Sequence, residues 1–394
     1  MNKKPIWPIF DSSESRLLQK SLKRSIGSAS AGKNVGYTTL LEKEFSKFHK
    51  KKYAVACANC TVGLEAILLC ANIGPGDEVL VPAYTYTSSV TSIIRVGAIP
   101  KFVDVEQRTL CTNLDLIKQA VTKKTKAIML VHFGGYLSDL KSIKKYIRNK
   151  KIRVIEDAAQ CHGSKRNGYY AGEVDAGAIF SFQRNKNMCS GEGGMLLTNN
   201  KRLAKKFREI IWHGTKPGNS SVHNFVGSNF RITEFQSAIL LAQLKKLKKF
   251  NEERMKVCSK LDEGLKQIKE IEVNYQNEMQ VHARHLYTLR VKSNISQQTR
   301  RAIIKKLNKN NIICGPGYKY PVYKSPIFTN RKFPNYFIES NKKEYKKWLN
   351  YIDKLNLENS EKVCKKNINF VHFNFINNKN IDKIIIKIIK NEIQ

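Results

Sequence analysis

Acidic residues are scarce in this chain of 394: 32 aspartates and glutamates stand against 70 lysines and arginines, a formal net charge of +38. So basic a balance makes nucleic acid the first partner to consider. The arrangement argues against it. The cations are spread throughout, with short runs such as Lys50-Lys51-Lys52 and Lys245-Lys246, and there is no basic arm, zinc finger, RNA-recognition signature or basic helix motif. That pattern reads as solvated helix faces, which still favour anionic ligands, nucleotide-linked ones included. No specific nucleic-acid partner is expected. Long apolar runs are also missing. None reaches the ~18–20 residues of a membrane span, and no apolar signal-peptide core follows the N-terminal charges. A cytoplasmic location without membrane association is expected. Cysteine offers little structure. There are nine, an odd number, with a single Cys-x-x-Cys at Cys57 and Cys60. Zinc needs a second ligand pair at suitable spacing, and none is visible, so no metal is expected and reduced thiols are the better reading. No internal repeat is evident, and the Lys/Asn-rich stretches at 341–343 and 377–379 read as surface loops.

What is present is an alternation. Hydrophobic residues make up 41% of the chain, enough for an ordinary interior, and the length suggests about two domains. Apolar strands are expected at 53–57, 78–81, 101–105, 127–132, 153–155 and 178–182. Helices fall between them, at 61–71, 87–96 and about 137–148. Continuous apolar strands alternating with helices predict an α/β domain with a mostly parallel sheet buried on both faces. A long helix from Thr233 to about Lys266 leads out of it. Beyond lie strands at 286–291 and 312–314 and helices at 297–308 and 382–393. The expected division is a large α/β domain over 1–250 and a small C-terminal α+β domain over 251–394.

Ligands in such sheets bind at the carboxyl ends of the strands. Several chemically able residues fall there. Lys186 stands between the strand ending in Phe180-Ser181-Phe182 and the glycine-rich Gly191-Glu192-Gly193-Gly194. Asp157 closes the strand Arg153-Val154-Ile155. A lysine amine able to form a Schiff base and a carboxylate for a ring nitrogen are what pyridoxal phosphate asks of a protein. Gln160 is placed to bond the ring hydroxyl, and Tyr86 to cover a ring face. Asn59, Cys60 and Thr61 lie at a helix start, an anion site with a hydroxyl to add, and Ser181 is within reach of the same phosphate. Taken singly, Thr61 is also a plain N-cap, Asp157 a helix cap and Tyr86 a core aromatic. Arg231 is a candidate for a donor carboxylate, and His213, in a Trp-His-Gly turn, for the site entrance.

The order and spacing of these segments resemble the DegT-type sugar aminotransferases, within the fold-type-I pyridoxal phosphate enzymes. The likeness is carried by Gly74-Pro75-Gly76-Asp77-Glu78-Val79, Pro82-Ala83-Tyr84-Thr85-Tyr86, Glu156-Asp157-Ala158-Ala159-Gln160, the Lys186 region and Asn229-Phe230-Arg231-Ile232-Thr233-Glu234. It runs from about Gly36 to Leu247. The resemblance implies that Lys186 forms the Schiff base, Asp157 and Gln160 hold the ring, Tyr86 stacks on it, and Ser181 and Thr61 take the phosphate. It further implies that Asn229 reaches the cofactor of a neighbouring subunit, hence a homodimer with shared sites. Cys60 stands where many relatives have glycine. Gly317 to Tyr323, with Tyr318 as a substrate-side candidate, is similar to the branch that aminates keto-cyclitols with glutamine and includes aminohydroxybenzoate synthases. The wider family implies glutamate or glutamine as donor and a nucleotide-linked keto-sugar or keto-cyclitol as acceptor. Specificity is expected in the loops 26–35, 216–226 and 315–324. A sugar dehydratase of the same family, in which the lysine is commonly replaced by histidine, and a regulator that merely kept the fold are the competing readings. Lys186, Asp157, Gln160 and Ser181 together argue against both.

Overall fold

The computed structural model describes residues 5–23, 36–174, 176–216, 219–273, 279–378 and 380–393. The expected loop at 26–35 lies outside them, as do 217–218 of the loop 216–226 and Lys379 of the stretch at 377–379.

A seven-stranded sheet forms the centre. Across it run Tyr53–Cys57, Gly194–Thr198, Ala178–Ser181, Arg153–Asp157, Thr125–Val131, Glu78–Pro82 and Ile99–Val103. Gly194–Thr198 is antiparallel to both neighbours, and every other pairing is parallel. The period of two along each strand sorts side chains to two cores. Ile128, Leu130, Val154 and Phe180 enter one, beneath the helix Tyr37–Phe48 and the first half of Glu234–Leu265. Ala127, Met129, Ile155 and Ile179 enter the other, beneath Cys60–Cys70, Thr87–Arg95 and Lys201–Ile211. The doubly covered α/β sheet matches the expectation. The outermost strand starts earlier than its apolar run suggested, at Ile99, because it pairs from Glu78 onward.

A second, antiparallel sheet orders Ile271–Val273, Leu286–Val291, Asn367–Val371 and Cys314–Gly315. Helices Gln297–Lys309 and Ile381–Ile393 close its core around Leu289, Phe370, Ile303 and Ile385. The 32-residue helix Glu234–Leu265 joins the two parts without a break. Its apolar contacts change hands between Leu247, in the large core, and Cys258, in the small one. The stretch between carries the buried polar residues Asn251 and Arg254. Downstream, Phe328, Phe333, Phe337 and Trp348 return to the large sheet's second core, and Trp348 Nε1 donates to the Pro100 carbonyl at 2.8 Å. The aromatic texture of 326–353 is thus spent on the first sheet, although it follows the second in sequence.

Candidate active site

The chemistry-bearing residues gather at one end of the large sheet because three of its strands stop there. Asp157 and Ser181 are the last residues of neighbouring parallel strands, and Cys57 ends the strand beyond the antiparallel one. Asp157 is buried and its carboxylate is held from two sides. Ser89 Oγ donates to Oδ2 at 2.7 Å, and the Ala159 amide donates to Oδ1 at 3.1 Å. Ser89 sits on the inward face of the helix Thr87–Arg95 and is itself 2.9 Å from Thr85 Oγ1. Ser89 was not singled out from sequence. The available signal was a pair of serines, Ser89 and Ser92, on a buried helix face shared with Val90, Ile93 and Ile94.

The helix Cys60–Cys70 begins beside this carboxylate. Asn59 is its N-cap, accepting from the Val62 amide at 3.0 Å, and the Gly63 amide bonds the Asn59 carbonyl. The amides of Cys60 and Thr61 in the first turn are left for an anion. Cys60 Sγ lies 4.0 Å from Asp157 Oδ1, and burial with that neighbouring carboxylate pushes its thiol well above the usual range. A thiol therefore fits where many relatives keep glycine. Close approach of the chain is secured instead at Gly194, where a Cβ would stand 2.6 Å from the Asn59 carbonyl carbon. The Phe230 carbonyl fixes the other side of the turn, accepting from the Ala58 amide at 2.7 Å.

Lys186 lies in a stapled turn. Phe182 N bonds Gly193 O, Arg184 N bonds Gly191 O, and Lys186 N bonds Gln183 O, at 2.8, 2.9 and 2.8 Å. Gly191 and Gly193 take positive φ of 88° and 148°, which the return of the chain requires. Lys186 Nζ makes no hydrogen bond or close ion pair among the described residues. Burial lowers its pKa from the ordinary lysine value, while Asp157, Cys60 and Glu192 oppose that shift by favouring the cation.

The remaining candidates divide. Gln160 is buried, and its Oε1 accepts from the Gly134 amide at 2.7 Å, which orients Nε2 as a donor for a ligand. Gly134 has φ 64°, a turn that brings its N–H back to Gln160. Tyr86 caps the helix that carries Ser89 and is 62% exposed, so its ring is free to cover a ligand. Tyr318 packs on Tyr84 and Phe133 with centroids 5.2 and 5.9 Å apart. Burial raises its hydroxyl pKa, with Tyr84 and Asp157 adding to the rise. Asn229, Arg231 and His213 form a separate group. Asn229 is exposed and accepts from Arg231 Nε at 2.8 Å, and the Arg231 guanidinium covers the Trp212 ring at 4.7 Å. His213 is exposed with φ 56°. Within one chain none of these three touches Lys186 or Asp157.

The donor set fits pyridoxal 5'-phosphate. It offers an unpaired amine, a carboxylate held in place, an oriented amide and a helix start with free N–H groups. Besides Ser89, the residues not evident from the sequence lie behind Lys186. His372 Nε2 meets the Asn185 carbonyl at 3.0 Å, and His285 Nδ1 meets Asn187 Oδ1 at 2.9 Å.

The family model described as the DegT/DnrJ/EryC1/StrS aminotransferase family matches residues 14–368. A protein of Geobacillus stearothermophilus named pleiotropic regulatory protein is 34% identical over 75% of this chain and 78% of its own. A GDP-perosamine synthase of Caulobacter vibrioides is 34% identical over 73% of this chain and 78% of its own. Among solved structures, 3-amino-5-hydroxybenzoic acid synthase superposes with a TM-score of 0.87 over 99% of this chain and 98% of its own, at 24% identity. A sugar aminotransferase of Streptococcus pneumoniae in its PLP form superposes with a TM-score of 0.80 over 100% of both chains, also at 24%. With the fold, the strand-end residues and the family model in agreement, the chain belongs to the DegT/DnrJ/EryC1/StrS aminotransferase family.

Proposed function

We propose that this enzyme is a pyridoxal 5'-phosphate-dependent sugar aminotransferase. It moves an amino group from glutamate or glutamine to the ketone of a nucleotide-linked keto-sugar or a keto-cyclitol. The reading rests above all on Lys186, an unpaired amine with a burial-lowered pKa, at the end of the sheet where Asp157 is held by Ser89 and Ala159. When bound, the cofactor supplies an aldehyde for the amine and an electron-poor ring that stabilises negative charge on the substrate carbon.

The chain's own groups do the rest. Asp157 keeps a carboxylate at the ring nitrogen. Gln160 Nε2 donates to the ring hydroxyl. The Cys60 and Thr61 amides, the Thr61 hydroxyl and Ser181 take the phosphate. With the cofactor bound, the Lys186 amine would hold its aldehyde carbon, and as a free amine it would move a proton from the amino-acid carbon to the cofactor carbon; burial favours the neutral amine this needs. Tyr86 covers the ring, and Tyr318 faces substrate. Asn229, exposed and without a hydrogen bond to its own chain's Lys186, is consistent with service to a second subunit, so a homodimer with shared sites in the cytoplasm completes the proposal.

The test is direct. The purified protein with cofactor should be yellow, and its visible band should shift when glutamate or glutamine is added. A panel of keto-sugars and keto-cyclitols with each donor then identifies the acceptor. A protein that binds the cofactor but transfers nitrogen to none of them would favour a regulator, as one relative is named.

A further inference from the structure

The turn that carries Lys186 is gripped from behind by groups that belong to the small sheet. His372 follows the strand Asn367–Val371 directly, and His285 precedes the strand Leu286–Val291 directly, and these two strands are paired neighbours. The two imidazoles stack, with centroids 5.4 Å apart and planes at 29°. They meet the residues on either side of Lys186, at Asn185 and at Asn187.

The partners fix the protonation pattern. The Asn185 carbonyl can only accept, so His372 Nε2 carries a proton. Asn187 Nδ2 donates to the Ala283 carbonyl at 2.6 Å, so Oδ1 is the acceptor and His285 Nδ1 carries a proton. Both rings are therefore donors when neutral. Their surroundings keep them neutral: burial, Lys186, Arg254 and His162 all oppose a charge on either ring. The Ala283 carbonyl takes a second bond from Arg254 Nε at 3.0 Å, and the Ala283 amide is held by Ser164 Oγ at 3.0 Å. Trp7 Nε1 adds a bond to the Arg184 carbonyl at 3.0 Å and packs edge-on against His372, with centroids 4.5 Å apart.

We propose that His285 and His372 are positioning residues for Lys186. They clamp the backbone at 185 and the side chain at 187, so that the lysine side chain alone moves when it leaves and returns. Because both donors are anchored at one end of the small sheet's two central strands, the seat of the amine is tied to the placement of that sheet. This rests on the reading of Lys186 as the cofactor-binding lysine, but the contacts themselves do not.

Cofactor-free protein separates the two. Parent, His285→Leu and His372→Leu are labelled with a small amine-reactive reagent across a range of pH, and Lys186 is followed by mass spectrometry with surface lysines as reference. Loss of either donor should change the Lys186 labelling rate by about tenfold, equivalent to roughly one unit in its apparent pKa, with surface lysines unchanged. His285→Asn and His372→Gln, which return an N–H at the δ and ε positions, should recover most of the parent rate. If a leucine variant does not fold, Asn187→Ala removes the His285 bond from the turn side. Failing that, the amide variants alone decide, since a clamp predicts near-parent labelling in folded protein. Labelling at Lys186 that is the same in folded parent, leucine and alanine variants, or amide variants no closer to parent than leucine, would overturn the proposal. Absence of a visible band on adding cofactor to the parent would instead overturn the cofactor reading and leave the labelling result standing.

Discussion

Lys186 faces two regions built from opposite materials. In front of it stand a carboxylate and polar groups on the ends of parallel strands and on the helices that follow strands: Asp157, Ser181, Ser89 and the start of the helix Cys60–Cys70. Behind it lie the imidazoles of His162, His285 and His372 with the guanidinium of Arg254, all buried. The front offers groups with free valences. At the back, His372, His285 and Arg254 are engaged with the chain itself through Asn185, Asn187 and Ala283, while both ring nitrogens of buried His162 find no hydrogen-bond partner among the described residues. One side is arranged to meet a ligand, and the other to keep the amine's backbone still. The asymmetry also explains the direction of the Lys186 pKa. A site with carboxylates on both sides would hold the ammonium, whereas here burial prevails over Asp157 and Glu192.

Breaking the front should cost chemistry with little effect on folding. Lys186→Ala has the largest expected effect: loss of the visible band and of essentially all transamination, with a thermal midpoint near the parent. Normal turnover by that variant would remove Lys186 from the mechanism. Asp157→Asn comes next. It keeps the size and the place of a hydrogen-bonding group but not the charge, so cofactor should remain bound while the rate falls by roughly 10²–10⁴, the range found for essential proton-transfer partners. Single-turnover absorbance with glutamate reads this directly.

Breaking the back should cost stability, and pH does it without mutation. His49, His162, His282, His285 and His372 all have pKa values lowered by burial, His49 to about 3. Below the unfolded value near ~6.5 the unfolded chain gains these protons and the folded one does not. Stability therefore falls as pH drops through that window, by up to about 1.4 kcal/mol per pH unit for each ring, until the folded pKa is reached. Urea midpoints at pH 7.5, 6.0 and 5.0 should decline progressively more steeply. A flat profile would show that these rings protonate inside the folded protein.

The front was largely legible in the sequence and the back was not, for a reason of distance. Strand-end placement is a local property. An apolar run, a glycine turn and a helix start put Asp157, Ser181, Lys186 and Thr61 at one end of the sheet once strands and helices alternate. The apolar strand Gly194–Thr198 and the helix Lys201–Ile211 are equally local, but the strand runs antiparallel to both neighbours and so falls outside the parallel alternation that made the others evident. His285 and His372 reach their partners across 98 and 187 residues, and Trp7 reaches Arg184 across 177. No periodicity within an element encodes such a meeting. The seam near residue 250 shows the same limit. The helix Glu234–Leu265 has one continuous pattern, and only packing reveals that its two halves serve different cores. Asn229 is singled out by resemblance alone, since no hydrogen bond in the single chain carries it to Lys186.

Ser89→Ala is the smallest change that still tests the comparison. Ser89 touches Asp157 but faces no ligand that the sequence reading named, so its loss asks whether the front works by charge alone or also by orientation. The substitution removes the 2.7 Å bond to Oδ2 and leaves the Ala159 amide on Oδ1 as the carboxylate's remaining short contact. Hydrogen bonds to charged groups contribute about 1.5–3 kcal/mol. Part of that is recovered here, because Thr85 Oγ1 lies beside the vacated position. A rate loss of about tenfold with unchanged cofactor content is expected, well short of the Asp157→Asn effect. Ser89→Ala combined with Asp157→Asn should then be no worse than Asp157→Asn alone, since the serine acts only through the carboxylate. If the two losses multiply instead, Ser89 meets the cofactor or substrate itself, and the boundary between the groups that bind and the groups that hold runs on the other side of this serine.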